Sequence, residues 1–259
     1  MCYNVASTLE TQLKRARKKG DQEQVNEIIE KLKQLGERPT LFQASGFSHP
    51  KMLVYTNSRP FTPTISQWGL VPEWTKDEDH KLKIWNSTLN ARGESIFEKP
   101  SFKDSAKMKR CIIPLDGFFE HHHYGSIKYP FFITRKDNAP LVVAGLYSEW
   151  EDPVNFERLH TFSIVTTKGN ELLSKLHNNP KMKEARMPLI LEEDEQEKWL
   201  SSEKSNSFLN EINAMIQPNN EIHLTAKPVR KLSGKGSLGN VKEAQDLFEY
   251  PELALLIDF

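Results

Sequence analysis

The sequence predicts an α+β domain whose core is an antiparallel, barrel-like β structure with peripheral helices. Three observations point there. Short apolar segments punctuated by turn signals fill the middle of the 259-residue chain. Helix-period stretches lie toward its two ends. Neither an internal repeat nor a long linker separates them, so a single domain over 1–259 is expected, with a charged helical insertion at about 9–38.

The elements follow in order. Met1 to Thr8 carries β-branched residues and reads as a short strand. Leu9 to Glu37 is rich in Lys, Arg, Glu and Gln, and Lys19-Gly20-Asp21 divides it into two helices. In the second half Val25, Ile28, Ile29, Leu32 and Leu35 fall at helical spacing, which predicts an amphipathic helix. The mixed-sign charges are expected on a solvated face. Met52 to Thr56, Ile65 to Leu70, Cys111 to Glu120, Tyr129 to Thr134, Leu141 to Tyr147 and Thr161 to Thr166 read as strands, and Tyr124-Gly125-Ser126 as a hairpin turn. Glu193 to Ile212 is expected to be a helix that buries Trp199, Phe208 and Ile212.

Composition narrows the function. Apolar residues make up 37% and charged residues 27%, an ordinary globular balance. The formal net charge is zero, so a grip on nucleic acid has to come from a local basic patch. Cys2 and Cys111 are too few for a disulfide framework and suit a reducing compartment. No signal-like N-terminus is present, and no run approaches the ~18 apolar residues of a membrane span. A soluble cytoplasmic monomer is expected.

Cys2 is the first candidate for chemistry. Trimming of Met1 would expose a 1,2-aminothiol, an amine of pKa ~7.7–8.0 beside a thiol of pKa ~8.5. Both are usable nucleophiles near neutrality. With an aldehyde, the amine forms an imine and the sulfur closes a five-membered thiazolidine.

Partners for that cysteine stand in four further segments. Trp68-Gly69-Leu70-Val71-Pro72 comes first, then Asn90-Ala91-Arg92-Gly93-Glu94. Arg110-Cys111-Ile112-Ile113-Pro114-Leu115-Asp116-Gly117-Phe118-Phe119-Glu120 follows. Val165-Thr166 leads to His177 and then to Arg186-Met187-Pro188-Leu189. With Met1-Cys2, and extending to Gly239-Asn240-Val241, these segments resemble the SRAP family, the SOS-response-associated peptidases that include abasic-site shielding proteins.

The resemblance implies a barrel-like α+β fold and a DNA-damage function. It implies covalent capture of abasic sites in single-stranded DNA, with no cofactor or metal, and cytoplasmic or nucleoid localisation. It makes Cys2 the nucleophile and puts Glu120 beside its amine. It has Asn90 and Arg92 contact the N-terminus, the opened sugar and a nearby phosphate. His177, eleven residues after Thr166, becomes the second acid–base group, and Arg186 holds a phosphate. Thr166 and Trp68 join Arg92 and Arg186 as DNA contacts, although Trp68 reads equally well as core.

These residue types suit the chemistry. Opening the sugar hemiacetal needs proton transfer near neutral pH, which imidazole provides. The apolar neighbours Phe118 and Phe119 are expected to push the Glu120 carboxyl upward and so favour proton exchange during loss of water. The chain departs from the commonest family pattern in three places. Tyr3-Asn4 replaces Gly-Arg, Asn178 to Ala185 lengthens the link from His177 to Arg186, and Leu9 to Glu37 is longer and more charged. His121-His122-His123 is read as surface histidines and not a metal site, since a strand turns alternate side chains apart.

Two competing functions remain open on the sequence. One is an N-terminal-nucleophile cysteine peptidase or amidase, whose minimal act is removal of its own Met1. The other is a non-catalytic single-strand-binding module using Trp68, Arg92, Arg186, Lys227, Arg230 and Lys231.

Overall fold

Several central strands lack the alternation of a strand with one wet face. Arg110–Leu115 and 161–167 are buried throughout, as strands covered on both sides must be. The computed structural model, which describes residues 2–34, 40–218 and 222–253, shows how that cover arises.

The strands are β1 (Asn4–Ser7), β2 (Leu41–Ser45), β3 (Lys51–Thr56), β4 (Arg59–Trp68), β5 (Asn90–Arg92) and β6 (Arg110–Leu115). They continue with β7 (Gly117–Tyr124), β8 (Ile127–Arg135), β9 (Leu141–Glu151), β10 (Arg158–Lys168), β11 (Arg186–Pro188) and β12 (Leu224–Pro228). The helices are α1 (Leu9–Lys19), α2 (Gln22–Gln34), α3 (Glu78–Trp85), α4 (Lys103–Met108), α5 (Glu171–Leu176), α6 (Glu193–Trp199) and α7 (Asn206–Ala214).

β10, β4, β3, β6 and β9 pair in that order, and β9 pairs β10 again, so five strands close into a barrel. Only β10–β4 is parallel among these pairs. β5 and β11 extend the ladder on β10. The second sheet, in the order β12-β8-β7-β1-β2, is antiparallel throughout. Met52, Val54, Cys111 and Ile113 of the barrel share one apolar core with Val5, Phe118 and Ile133 of that sheet. The alternate residues Leu53, Tyr55 and Ile112 pack instead with Leu13, Ala16, Trp199, Phe208 and Ile212 of the helices. The period of two along a strand therefore sorts side chains between two cores.

The α+β, barrel-like reading holds, with differences in detail. Cys111 to Glu120 is two strands in two sheets. Asp116 makes the corner: its N–H donates to Ala6 O (2.8 Å), and its carboxylate accepts from Thr8 N and from Thr11 Oγ1 (2.5 Å). Glu193 to Ile212 is likewise broken, because the Ser205 hydroxyl caps a new helix by accepting from Phe208 N (3.2 Å). Trp199, Phe208 and Ile212 are buried as expected. The hairpin turn is where the sequence put it, Tyr124 facing Ile127 and Gly125 at φ +59°.

The first half of the charged segment is more than a solvated face. Leu13 and Ala16 of α1 are fully buried, and removing such a leucine from water contributes roughly 1.5–3 kcal/mol. Gln12 donates to Ser7 O and accepts from Leu53 N, each at 2.8 Å. In α2, Val25 is buried and Ile28 and Ile29 pack against the core. The Leu32 side chain, Leu35 and Glu37 lie outside the described residues, as does Met1. Among the described residues no helix is long and apolar enough to cross a membrane.

Candidate active site

Cys2 precedes β1, a strand held between β7 and β2 with Asn4 opposite both Phe119 and Ser45. Because side chains alternate along β7, Phe118 and Glu120 share a face, turned toward the core that contains Cys2. Cys2 is fully buried, and its Sγ donates to Asn4 O at 3.6 Å. Burial, and then the negative field of Glu120, push its thiol well above the ordinary range. Cys2 therefore rests as a thiol and not a thiolate.

Asn90 reaches the same point from the barrel. Its Nδ2 donates to Cys2 O at 2.7 Å, and its buried Oδ1 has no hydrogen-bond partner among the described residues. The carbonyl of the preceding residue, Leu89, is held twice, by Trp68 Nε1 (2.8 Å) and by Ile164 N (3.1 Å). Trp68 thus fixes Asn90 from beneath. It is fully buried and stacked with Phe162, ring centroids 6.2 Å apart. Of its two readings, core is the correct one: a base has no open indole face to stack on.

His177 closes the group. It terminates α5, where its N–H donates to Leu173 O (2.8 Å), and its side chain is 3% exposed. Nδ1 lies 3.2 Å from Glu120 Oε2 and 3.4 Å from Arg186 O. Burial raises the Glu120 carboxyl above its usual range and pulls His177 down to about 4. Both shifts disfavour charge, so burial favours a neutral imidazole that can accept a proton beside a carboxyl that tends to hold one.

The histidine triplet on β7 positions this end of α5. His122 Nδ1 lies 3.1 Å from Leu176 O, and the Asn178 amide makes two bonds to the His123 backbone (2.6 and 2.8 Å). Asn178 mimics one more strand residue and docks the chain just after His177. Among the described residues no group of three His, Cys, Asp or Glu could hold a metal ion.

The DNA contacts expected from the sequence separate in space. Arg92, on β5 opposite Thr166, is exposed. Two residues after Asn90 on β5, Arg92 turns to the same face of the strand as the amide that bonds Cys2, at its exposed end. Thr166 is fully buried. Arg186 is 1% exposed, and its terminal nitrogens meet Glu94 at 2.7 and 2.8 Å. As the molecule stands, Thr166 and Arg186 are both buried; Glu94 and the Thr166 carbonyl use the terminal nitrogens of Arg186, and its buried Nε has no hydrogen-bond partner among the described residues. Glu94 therefore pairs with Arg186 and not with its neighbour Arg92, a match across 92 residues that no local pattern signals. Lys227 belongs to the edge strand β12, and Arg230 stacks over Phe248 at 4.4 Å.

Fold and site together define an α+β barrel protein that gathers a second-residue cysteine with an amide, a carboxyl group and an imidazole. The chain belongs to the SRAP family: the family model, SOS response associated peptidase, matches residues 1–235. It is 36% identical over 167 residues to the abasic site processing protein YoqW of Bacillus subtilis, across 64% of this chain and 68% of that one. Identity to the abasic site processing protein HMCES of Gallus gallus is 35% over 154 residues, 52% of this chain and 44% of the relative. The solved structure of a protein from Bacteroides thetaiotaomicron has a TM-score of 0.75 at 29% identity, covering 95% of this chain and all of that one (100%).

Proposed function

We propose that this protein processes abasic sites in single-stranded DNA by bonding to them through Cys2, once removal of Met1 has freed the amine. The observation that carries the reading is the convergence on Cys2 of the Asn90 amide and the Glu120–His177 pair. Relatives named for abasic site processing support it. The single domain with its charged 9–38 insertion would act as a soluble monomer beside the nucleoid.

In this reading His177 moves the proton that opens the sugar to its aldehyde. The Cys2 nitrogen adds to C1′ and gives a carbinolamine. Protonation of its hydroxyl by the Glu120 carboxyl releases water and leaves an imine. The thiol then adds to C1′, its proton passes to nitrogen, and the thiazolidine closes with one water lost overall. A thiol held protonated by burial favours this order, amine first and sulfur second. The same feature weighs against amide hydrolysis by Cys2, which needs the thiolate at the start.

The test uses mature protein, its loss of one methionine confirmed by intact mass, with abasic single-stranded DNA on a denaturing gel. A heat-resistant shifted band is expected. Cys2→Ala abolishes it, and Cys2→Ser leaves only an adduct that borohydride can trap. An undiminished band from Cys2→Ala refutes the reading, whereas turnover of an unrelated amide supports the peptidase.

A further inference from the structure

The stretch from Lys227 to Lys242 carries five cations, Lys227, Arg230, Lys231, Lys235 and Lys242, and not one carboxylate. All five are exposed, and among the described residues none of them forms an ion pair. The cations of α1 behave differently, since Arg15, Lys18 and Lys19 are held by Glu193 and Glu197 of α6. In a chain of zero formal net charge, an unneutralised patch is where a polyanion gains most.

The stretch is a strap across the second sheet. It leaves the edge strand β12 at Pro228, and Val229 N donates to Pro130 O (2.9 Å). Val229 and Leu232 pack on Ala6, Phe119 and Phe132, so the strap lies over β1, β7 and β8. Those residues alternate with Val5, Phe118 and Ile133 of the inner core, which puts the strap on the outer face. At the far edge, Asn240 Oδ1 accepts from Phe42 N (2.7 Å) and Gln43 N (3.1 Å) of β2, and Gln245 Nε2 donates to Phe42 O (2.8 Å). Both ends are thus fixed, and the interstrand spacings of ~4.8 Å from β12 across to β2 give a span of about 19 Å. Within it, Lys235 stands between Gly234 (φ +72°) and Gly236 (φ +95°), with nothing within 4 Å of where either Cβ would be. That open space lets a ligand's backbone come close.

The strap also comes near the end of the sheet that holds Cys2. Phe119 pairs directly with Asn4, which is two residues, about 7 Å of extended chain, from Cys2. Asn4 is turned to the outer face, where its Oδ1 accepts from Gln43 Nε2 (3.3 Å).

We propose that this strap is a second DNA contact, holding phosphates of the strand that runs on from the abasic nucleotide bonded at Cys2. The proposal rests on the abasic-site reading above and adds the course of the flanking strand, round the end of β1 at Asn4 and across the outer face. At ~3.4 Å per phosphate along one strand, about 19 Å accommodates about six phosphates, a match for the cations present. Exposed Lys and Arg exchange counterions for phosphate with little desolvation, so the contact is salt-sensitive and independent of sequence.

The test combines Arg230→Gln, Lys231→Gln and Lys235→Gln in the full chain and measures binding of undamaged single strands against salt. Three lost phosphate contacts, at about 0.7 each, should lower the slope of log affinity against log salt by about two. A control combining Lys14→Gln, Arg17→Gln and Lys18→Gln removes the same charge from α1 and should shift the slope by less than about half a unit. An unchanged slope in the strap variant, or an equal drop in the control, overturns the proposal. So does a strap variant that keeps its DNA binding and instead loses binding to vesicles of anionic phospholipid. A second readout uses strands carrying a tetrahydrofuran abasic analogue, which has no aldehyde to bond, lengthened on one side of the lesion or the other. One of the two extensions should tighten binding by wild type and not by the strap variant; a gain that survives equally in the variant overturns the contact. Should wild type form no Cys2-dependent adduct while the strap variant still loses its slope, the chemistry at Cys2 is refuted and the DNA contact is supported.

Discussion

Protonating His177 should cost this fold much of its stability. The imidazole is buried, which lowers it from 6.5 to about 4. A group lowered in the folded state contributes its stability above the unfolded value and loses it as pH falls toward the folded one. At about 1.4 kcal/mol per pH unit, nearly nothing is lost at pH 7.5. At pH 4.5 the unfolded chain takes the proton and the folded chain largely does not, a penalty of about 2.5 kcal/mol. Glu120, raised by burial, works in the opposite direction, stabilising as pH falls. Replacing His177 by Gln removes the first contribution and keeps the second. Urea unfolding of both proteins at pH 7.5 and 4.5 should therefore show wild type losing about 2.5 kcal/mol more than His177→Gln. Equal losses would mean that the imidazole is solvated, and the neutral imidazole beside Glu120 would fall with it.

Two further outcomes follow from the site. Glu120→Gln keeps the side-chain shape but cannot release a proton, so single-turnover capture should slow by a factor on the order of 10²–10⁴ while undamaged DNA binds as before; an unchanged rate would move the dehydration step elsewhere. Arg92→Ala should lower the slope of log affinity against log salt by roughly one, the signature of one lost phosphate contact; an unchanged slope would place the strand away from β5.

Local patterns in the sequence revealed the strands that carry the site, but not the contacts across the chain that hold it. Apolar runs marked β3, β6, β9 and β10 because both faces of these strands are covered. β5 and β11, three residues each, are strands only because β10 offers them an edge. Cys2, Asn90, Glu120 and His177 are far apart in the sequence and come together only in the fold. Trp68 and Arg186 were legible as residue types that touch DNA, but their bonds to the Leu89 carbonyl and to Glu94 were not. The corner at Asp116 was equally hidden, since its partners Thr8 and Thr11 stand more than a hundred residues earlier.

The placement of β1 has a mechanical consequence. Residue 2 is not at the end of a loose tail, because the chain enters a mid-sheet strand two residues later and is bonded there on both edges. Tension applied along a DNA strand attached at Cys2 would load those bonds in shear, several at once, and would not peel them open one by one. A motor translocating into such an attachment would meet the resistance of the whole sheet. Dismantling the attachment would then call for unfolding or proteolysis of the domain, or for reversal of the bond itself.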